Sequence, residues 1–356
     1  MEAPDSSLLS VPHSSLRCSL VPVGNGNEPI DATVIATSTH SGVYKILCNP
    51  SSHDTHRVKI QVYDVQLEGT SLVIPFNPYL DNIIPVRTID ELNYPWRVAV
   101  SDDGYLMVSE SLGDRVTIMD REGMKVKSFG GTEGTGNVKF LSPHGVAFTS
   151  DKFILVSDSH RIQKINIDGD CLASVGEEGT EPLQFKYPVG IAISPITGQV
   201  YVADSGNHHI QVLNPDLTFS HFFGSKGSAN GQFLYPRDIA IDNQGFVYVT
   251  DWVNHRVQYF TPDGAFVALF GNEGSGPGQL NSPIGITIDN TATGLVYVSE
   301  WNNHRISVFT NEGLFVSSFG REGSSIDEFN SPKGLTFDKE GFLYICDYYN
   351  NRLVVY

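Results

Sequence analysis

The chain has 356 residues, 40% of them hydrophobic and 18% charged, with 40 acidic against 23 basic side chains and a formal net charge of −17. That length suits one large domain and a small one, and the acidity argues against a non-specific nucleic-acid binder, so DNA is not an expected partner. No apolar stretch approaches the ~20 residues of a spanning helix, which excludes a membrane role of that kind. Residues 1–16 read as a disordered, acidic leader without the basic-plus-apolar pattern of a signal peptide. Cys18, Cys48, Cys171 and Cys346 are scattered. They read as free, small apolar residues of a chain kept in a reducing, cytoplasmic setting.

Residues 17–77 read as about five short strands with polar breaks. Residues 82–90, "NIIPVRTID", are extended and lie just before a proline. From there one frame recurs. The prolines are Pro95, Pro143, Pro188, Pro236, Pro283 and Pro332, spaced 48, 45, 48, 47 and 49 residues apart. Each opens an apolar strand such as "PRDIAI". A Gly-containing turn and a second strand, such as "FVYVTD", follow. Next come a turn led by Asp or Glu, a third strand such as "RVQYF", a tight turn such as "TPDG" and a fourth strand ending on Phe-Gly. Four short antiparallel strands at a period of ~40–50 residues make one propeller blade. The expected fold is all-β: a six-bladed propeller over 78–356, with a partial sandwich in front.

The last repeat stops at Tyr356, at the end of its third strand. Residues 83–89 are expected to supply the fourth strand and close the ring, which removes open sheet edges. Ala99, Ala147, Ala192, Ala240, Thr287 and Thr336 keep the innermost strands small where sheets converge.

The second-to-third strand turns hold the most chemistry. Acids stand at Glu110, Asp158, Asp204, Asp251, Glu300 and Asp347, with Arg115, Arg161, His209, Arg256, Arg305 and Arg352 a few residues on. Six copies of one cluster are not six active sites. The pairs are expected to brace the turns through charge-assisted hydrogen bonds. His208, His255 and His304 recur at matched positions, but equivalent places on separate blades stay apart, so no metal or other cofactor is expected.

Turns between strands one and two, and three and four, share one face and are rich in acids: "SDDG", "DREG", "DNQG", "DKEG". The opposite, top face gathers Trp96, Arg97, His144, Arg237, Trp252, Trp301, Lys333, Tyr348 and Tyr349, including all three tryptophans of the chain. This set is the candidate ligand-binding surface, since Trp, Tyr and Arg dominate recognition sites.

Pro-x-Gly-Ile-Ala, Val-Tyr-Val-x-Asp, Asn-His-Arg-Ile-x-Val-Phe and Phe-Gly together resemble the NHL repeat. "GVYKILCNP" (42–50) and "HRVKIQVYDVQLEGTS" (56–71) are similar to the second half of a filamin-type immunoglobulin domain, although "LVI" separates Gly69-Thr70-Ser71 from Pro75-Phe76. A filamin-type module before an NHL propeller resembles the tripartite-motif (TRIM) family. In that family a RING, B-boxes and a coiled coil come first, and these 356 residues contain none, which reads as an N-terminally truncated member or an incomplete gene model, or else as a genuine short protein with a degenerate first domain. The resemblance implies a non-catalytic propeller that selects a protein substrate for a RING-type ubiquitin ligase, or one that binds single-stranded RNA. Without the coiled coil a monomer is expected. A propeller lyase or lactonase is the remaining alternative.

Overall fold

The computed structural model describes five strands between Leu16 and Gln66 by their backbone, and residues 85–356 except 133 and 135. The chain divides into two compact units, Met1–Ile74 and Pro75–Tyr356. In the first, the strands Tyr44–Leu47, Ile30–Ala36, Leu16–Pro22, His56–Val62 and Val65–Gln66 lie in that order in one antiparallel sheet. Of the expected leader 1–16, Leu16 already belongs to the first strand; residues 1–15, residues 67–84 and the side chains that carry the filamin-type pattern lie outside the described residues.

The second unit is a six-bladed β-propeller. Blade 1 runs Pro95–Val100, Leu106–Glu110, Arg115–Met119 and Lys125–Gly130; blade 4 runs Pro236–Ile241, Val247–Asp251, Arg256–Phe260 and Phe266–Phe270. Blade 6 takes its first three strands from Pro332–Phe337, Leu343–Asp347 and Arg352–Val355, and its fourth from Arg87–Ile89. The closure extends one bond further, from the Val86 N–H to the Val355 carbonyl at 2.7 Å. The closing strand is therefore shorter than the 83–89 stretch expected, with 83 and 84 outside the described residues.

Strand two is buried along its whole length in every blade, because both of its faces pack on neighbouring blades. Its near-continuous Val/Tyr/Ile composition follows from that double burial. The fourth strand is outermost and alternates, as in Phe266–Phe270. Six apolar clusters result, one at each boundary between consecutive blades. On the first strand Val98, Val146, Ile191 and Ile239 face the preceding blade, and Ala99, Ala147, Ala192 and Ala240 the following one. The small side chains thus stand where two sheets approach.

The Phe-Gly that ends a blade has a packing cause. Gly224, Gly271 and Gly320 adopt positive φ, and a Cβ there would lie about 2.5 Å from Phe233, Leu280 or Phe329 of the next blade. Those three residues are fully buried plugs carried by the loop that leads to the next blade.

A cation–aromatic ring at the top of the axis

Each acid at the end of strand two is the hub of a small network. Arg115, Arg161, His209, Arg256, Arg305 and Arg352 donate to Glu110, Asp158, Asp204, Asp251, Glu300 and Asp347 at 2.6–3.1 Å. The same acids accept the backbone N–H two residues before each proline, from Asn93, Leu141, Lys186, Leu234, Asn281 and Asn330. Asn207, Asn254, Asn303 and Asn350 donate to the acid and to a loop carbonyl of the preceding blade. Burial pushes the Asp158 and Asp251 carboxyls up, against the pull of these donors.

In blades 1 to 5 a polar residue on strand three completes the hub, whereas blade 6 has Val354 at that place. Gln163, Gln211 and Gln258 reach Asp158, Asp204 and Asp251, while Thr117 and Ser307 reach Glu110 and Glu300. A short acid is matched by a long amide, and a long acid by a short hydroxyl. That complementarity stands in the sequence, although its polar members look there like ordinary outward-facing strand residues.

His208, His255 and His304 are inter-blade clamps. Each sits at positive φ, and its Nδ1 accepts the N–H of Tyr235, Ser282 or Ser331 in the next blade, always at 3.1 Å. Asp114 and Asn351 do the same for Ser142 and Tyr94. Among the described residues no group of three His, Cys, Asp or Glu side chains could hold a metal ion.

The top of the central axis is built from the two residues after each proline. The second is glycine in blades 2, 3, 5 and 6, where a Cβ would meet backbone of the adjacent blade at 2.2–2.9 Å. Blades 1 and 4 face each other and carry Arg97 and Asp238 instead, paired across the axis. Arg97 is one of the expected ligand-facing cations, but this ion pair engages its Nη1, while its Nε is buried without an acceptor; like Arg237 and Lys333 it stands on a first strand. Burial lowers its guanidinium to about 10. Asp238 also accepts the Ile239 and Ile286 N–H groups. In blades 1, 2, 4 and 5 a strand-two hydroxyl (Ser109, Ser157, Thr250, Ser299) donates to a carbonyl of the next blade. Blades 3 and 6 have Ala203 and Cys346 there, directly before the blades that carry Asp238 and Arg97.

The first residue after the proline forms a ring: Trp96, His144, Val189, Arg237, Ile284, Lys333. Basic groups occupy alternate blades. Lys333 is 1% exposed, with Nζ 3.8 Å from the Trp301 ring centre, 4.1 Å from Trp96 and 4.7 Å from Tyr348. Arg237 lies 4.1 Å over Trp252, which stacks on Trp301 at 5.7 Å. Trp96 meets His144 and Tyr348 edge-on, and Tyr348 leads to Tyr349, 48% exposed at the rim. Eight of the nine candidate residues therefore form one contiguous array, with Arg97 beneath it. Burial lowers His144 to about 3, assisted by Arg237 and Lys333; burial lowers Arg237 to about 10; burial, then Arg237, lowers Lys333 to about 7.

Two features of this face escape sequence reasoning. Loops from strand four to the next blade also open at the top and expose Glu177, Glu178, Glu181, Glu273 and Glu322, so its outer rim carries many acids, interrupted by Lys186, Lys226 and Arg321. Between blades 3 and 4, Lys186, Tyr187, His208, Lys226 and Tyr235 line a second cavity of about 540 Å3.

The NHL repeat model matches residues 185–213, 233–260, 280–309 and 329–356, which are the cores of blades 3 to 6. Blades 1 and 2 follow the same architecture beyond the reach of that model. Their turns depart from the pattern, as "ESLGDR" and the shortened "DSHR". No curated protein matches in sequence. Among solved structures, a virginiamycin B lyase from Staphylococcus aureus is 15% identical, covering 76% of this chain and 97% of its own, with a TM-score of 0.52. A gluconolactonase from Xanthomonas campestris is 16% identical over 75% of this chain and 87% of its own, at 0.56. A protein of unknown function from Bacteroides thetaiotaomicron is 17% identical over 97% and 91%, at 0.57. At such identities the likeness shows the fold alone. No helix among the described residues is long and apolar enough to cross a membrane.

Proposed function

We propose that the propeller is a non-catalytic recognition domain whose top face binds a protein. The observation that carries this reading is the gathering of Trp96, Trp252, Trp301, Tyr348, Arg237 and Lys333 into one array at the mouth of the axis. Aromatic and Arg anchors packed in this way are the usual energetic centres of protein interfaces. Resemblance to TRIM-NHL proteins supplies a setting, in which such a propeller selects substrates for a RING-type ubiquitin ligase in the cytoplasm. Ligase chemistry would then reside in the RING and not in the blades.

A second reading, single-stranded RNA, is favoured by the blade 3–4 cavity. There the exposed Tyr187 and Tyr235 stand beside Lys186 and Lys226, a pairing that suits stacked bases and phosphates.

One experiment separates the two. The full chain and a Trp252→Ala/Arg237→Ala variant are used to capture partners from cytosol, and in parallel to enrich a random single-stranded RNA pool at two salt concentrations. Proteins retained by the parent chain and lost by the variant support protein recognition. An enriched RNA motif whose affinity falls steeply with salt supports the second reading. Indifference of both arms to the variant sinks the top face as the site.

A further inference from the structure

The ring at the axis holds three basic side chains and no acid. His144, Arg237 and Lys333 come from blades 2, 4 and 6 and converge from alternate directions. Their mutual influence is plain: each of the other two bears on His144, and Arg237 bears on Lys333. Among the described residues no carboxylate forms an ion pair or hydrogen bond with any of the three side chains. The nearest candidate, Asp238, is saturated by Arg97 and two backbone N–H groups. In a chain of net charge −17, two cations are therefore left without an acidic partner at the axis.

The donors are orphaned as well as the charges. Arg237 Nε and Trp252 Nε1 are buried without an acceptor, and no hydrogen bond is made by the Lys333 ammonium. Buried donors of this kind ordinarily have partners. Aromatic faces satisfy part of the cationic charge, but they accept no conventional hydrogen bond from an indole N–H lying in its own ring plane. A small cavity of about 10 Å3, bounded by Trp96, Arg97, His144, Arg237, Asp238 and the ring glycines, lies on the inner side of Arg237, at the level of the Arg97–Asp238 pair and below Lys333 and Trp252. It matches one water or one ligand oxygen.

Donors without acceptors, cations without acids and a socket for one oxygen specify a compact anion. We propose that the top-face site recognises a carboxylate on a peptide, with Arg237 and Lys333 as the binding cations, the Trp252 indole N–H as an additional donor and Trp96 and Trp301 as walls. This deepens the protein-recognition reading and rests on it. The ligand's charge must be concentrated in one group, because Glu177, Glu178, Glu181, Glu273 and Glu322 stand exposed on the surrounding loops. A single carboxylate can pass that acidic rim. A polynucleotide, with a phosphate at each residue, would have to lie along it.

All three tryptophans of the chain are at the site, so intrinsic tryptophan emission reports on it directly. The full chain would be titrated at constant ionic strength with Ac-Ala-Glu-Ala-NH2, Ac-Ala-Gln-Ala-OH and Ac-Ala-Gln-Ala-NH2, and with a single-stranded RNA octamer. The first two peptides separate a side-chain carboxylate from a chain terminus, and the third is the neutral control. A saturable change with at least one carboxylate peptide, roughly tenfold tighter than the neutral one and weakened by a similar factor in Lys333→Met, is the expected result. Arg237→Gln should give the same loss, so that a folding failure of one variant leaves the other to decide. Equal response to the neutral peptide, no saturable response to either carboxylate, or a response to the RNA alone overturns the proposal. If proteins are still captured through Trp252 and Arg237 while carboxylates are ignored, the recognition reading survives and the carboxylate is the part that is wrong.

Discussion

Blades 1–3 and blades 4–6 share one frame and differ at the step after the strand-two acid. The residue after each strand-two acid is Ser111, Ser159 and Ser205 in the first half, and Trp252, Trp301 and Tyr348 in the second. Both halves keep the acid hub and the strand-three side chain that pairs with it, an arginine in five blades and His209 in blade 3. Only the second half has a wall of aromatic rings, which continues onto Trp96 of blade 1. The frame therefore accounts for the fold and says nothing about ligand. The proposed recognition rests on places where one blade stops resembling the next.

The strongest way to break this comparison is to remove what both halves depend on. Deleting Arg352–Tyr356 takes out the third strand of blade 6, the partner of Arg87–Ile89, and Leu353 and Val355 from the cluster that joins blades 6 and 1. Two sheet edges open and a core boundary is lost. The expected outcome is loss of cooperative thermal unfolding and aggregation of the purified chain. A normal transition, followed by far-ultraviolet circular dichroism, would mean that the ring does not need its closure.

The next test sharpens the boundary between the halves. Arg97 and Asp238 bridge blade 1 to blade 4, at a position that is glycine in the other four blades. Asp238→Gly alone leaves a buried guanidinium unpaired and should cost about 3–5 kcal/mol. The double variant Arg97→Gly/Asp238→Gly restores the repeat residue at both places and should lie within about 1–2 kcal/mol of the parent. Urea unfolding of the four proteins in this cycle measures the difference. Additive losses in the double variant would show that the pair does not act as a unit.

Much of this was legible in the sequence. The six prolines fixed the blade count, and the extended "NIIPVRTID" stretch before Pro95 stands where the other repeats have a fourth strand. The acid–base pairs could be placed because their spacing recurs. Arg97 could not, because its partner is 141 residues away and only the curvature of the ring brings them together. The sequence did contain a sign of it, since Arg97 and Asp238 interrupt a glycine position three blades apart. The acidic rim was missed for a different reason: its residues lie on loops whose face depends on the direction of the fourth strand. The histidine clamps were equally hidden, since their acceptor role needs the left-handed backbone that turns each ring toward the next blade.

The smallest expected effect concerns Lys333, where the aromatic half holds its buried amine. Its pKa is about 7 in the folded chain against 10.5 ordinarily. Below pH 7 the amine is charged in both states, and the cost of burying an ammonium is fully present. Between pH 7 and 10.5 the unfolded chain holds a proton that the folded chain has released, so stability from this group rises with pH. Above 10.5 the amine is neutral in both states and that cost is gone. Burial and Arg237 alone, which set this value, would cost the ammonium about 4–5 kcal/mol; the three ring faces favour the charged form and oppose that cost, which narrows the shift. Lys333→Met keeps the volume and removes the charge. It should therefore stabilise the propeller by about 2 kcal/mol at pH 6, and by little at pH 10.5. Denaturant midpoints of the two proteins at both pH values decide the matter. If the variant is instead less stable at pH 6, the rings compensate the ammonium fully, and Lys333 is a structural member of the aromatic half before it is a binding group.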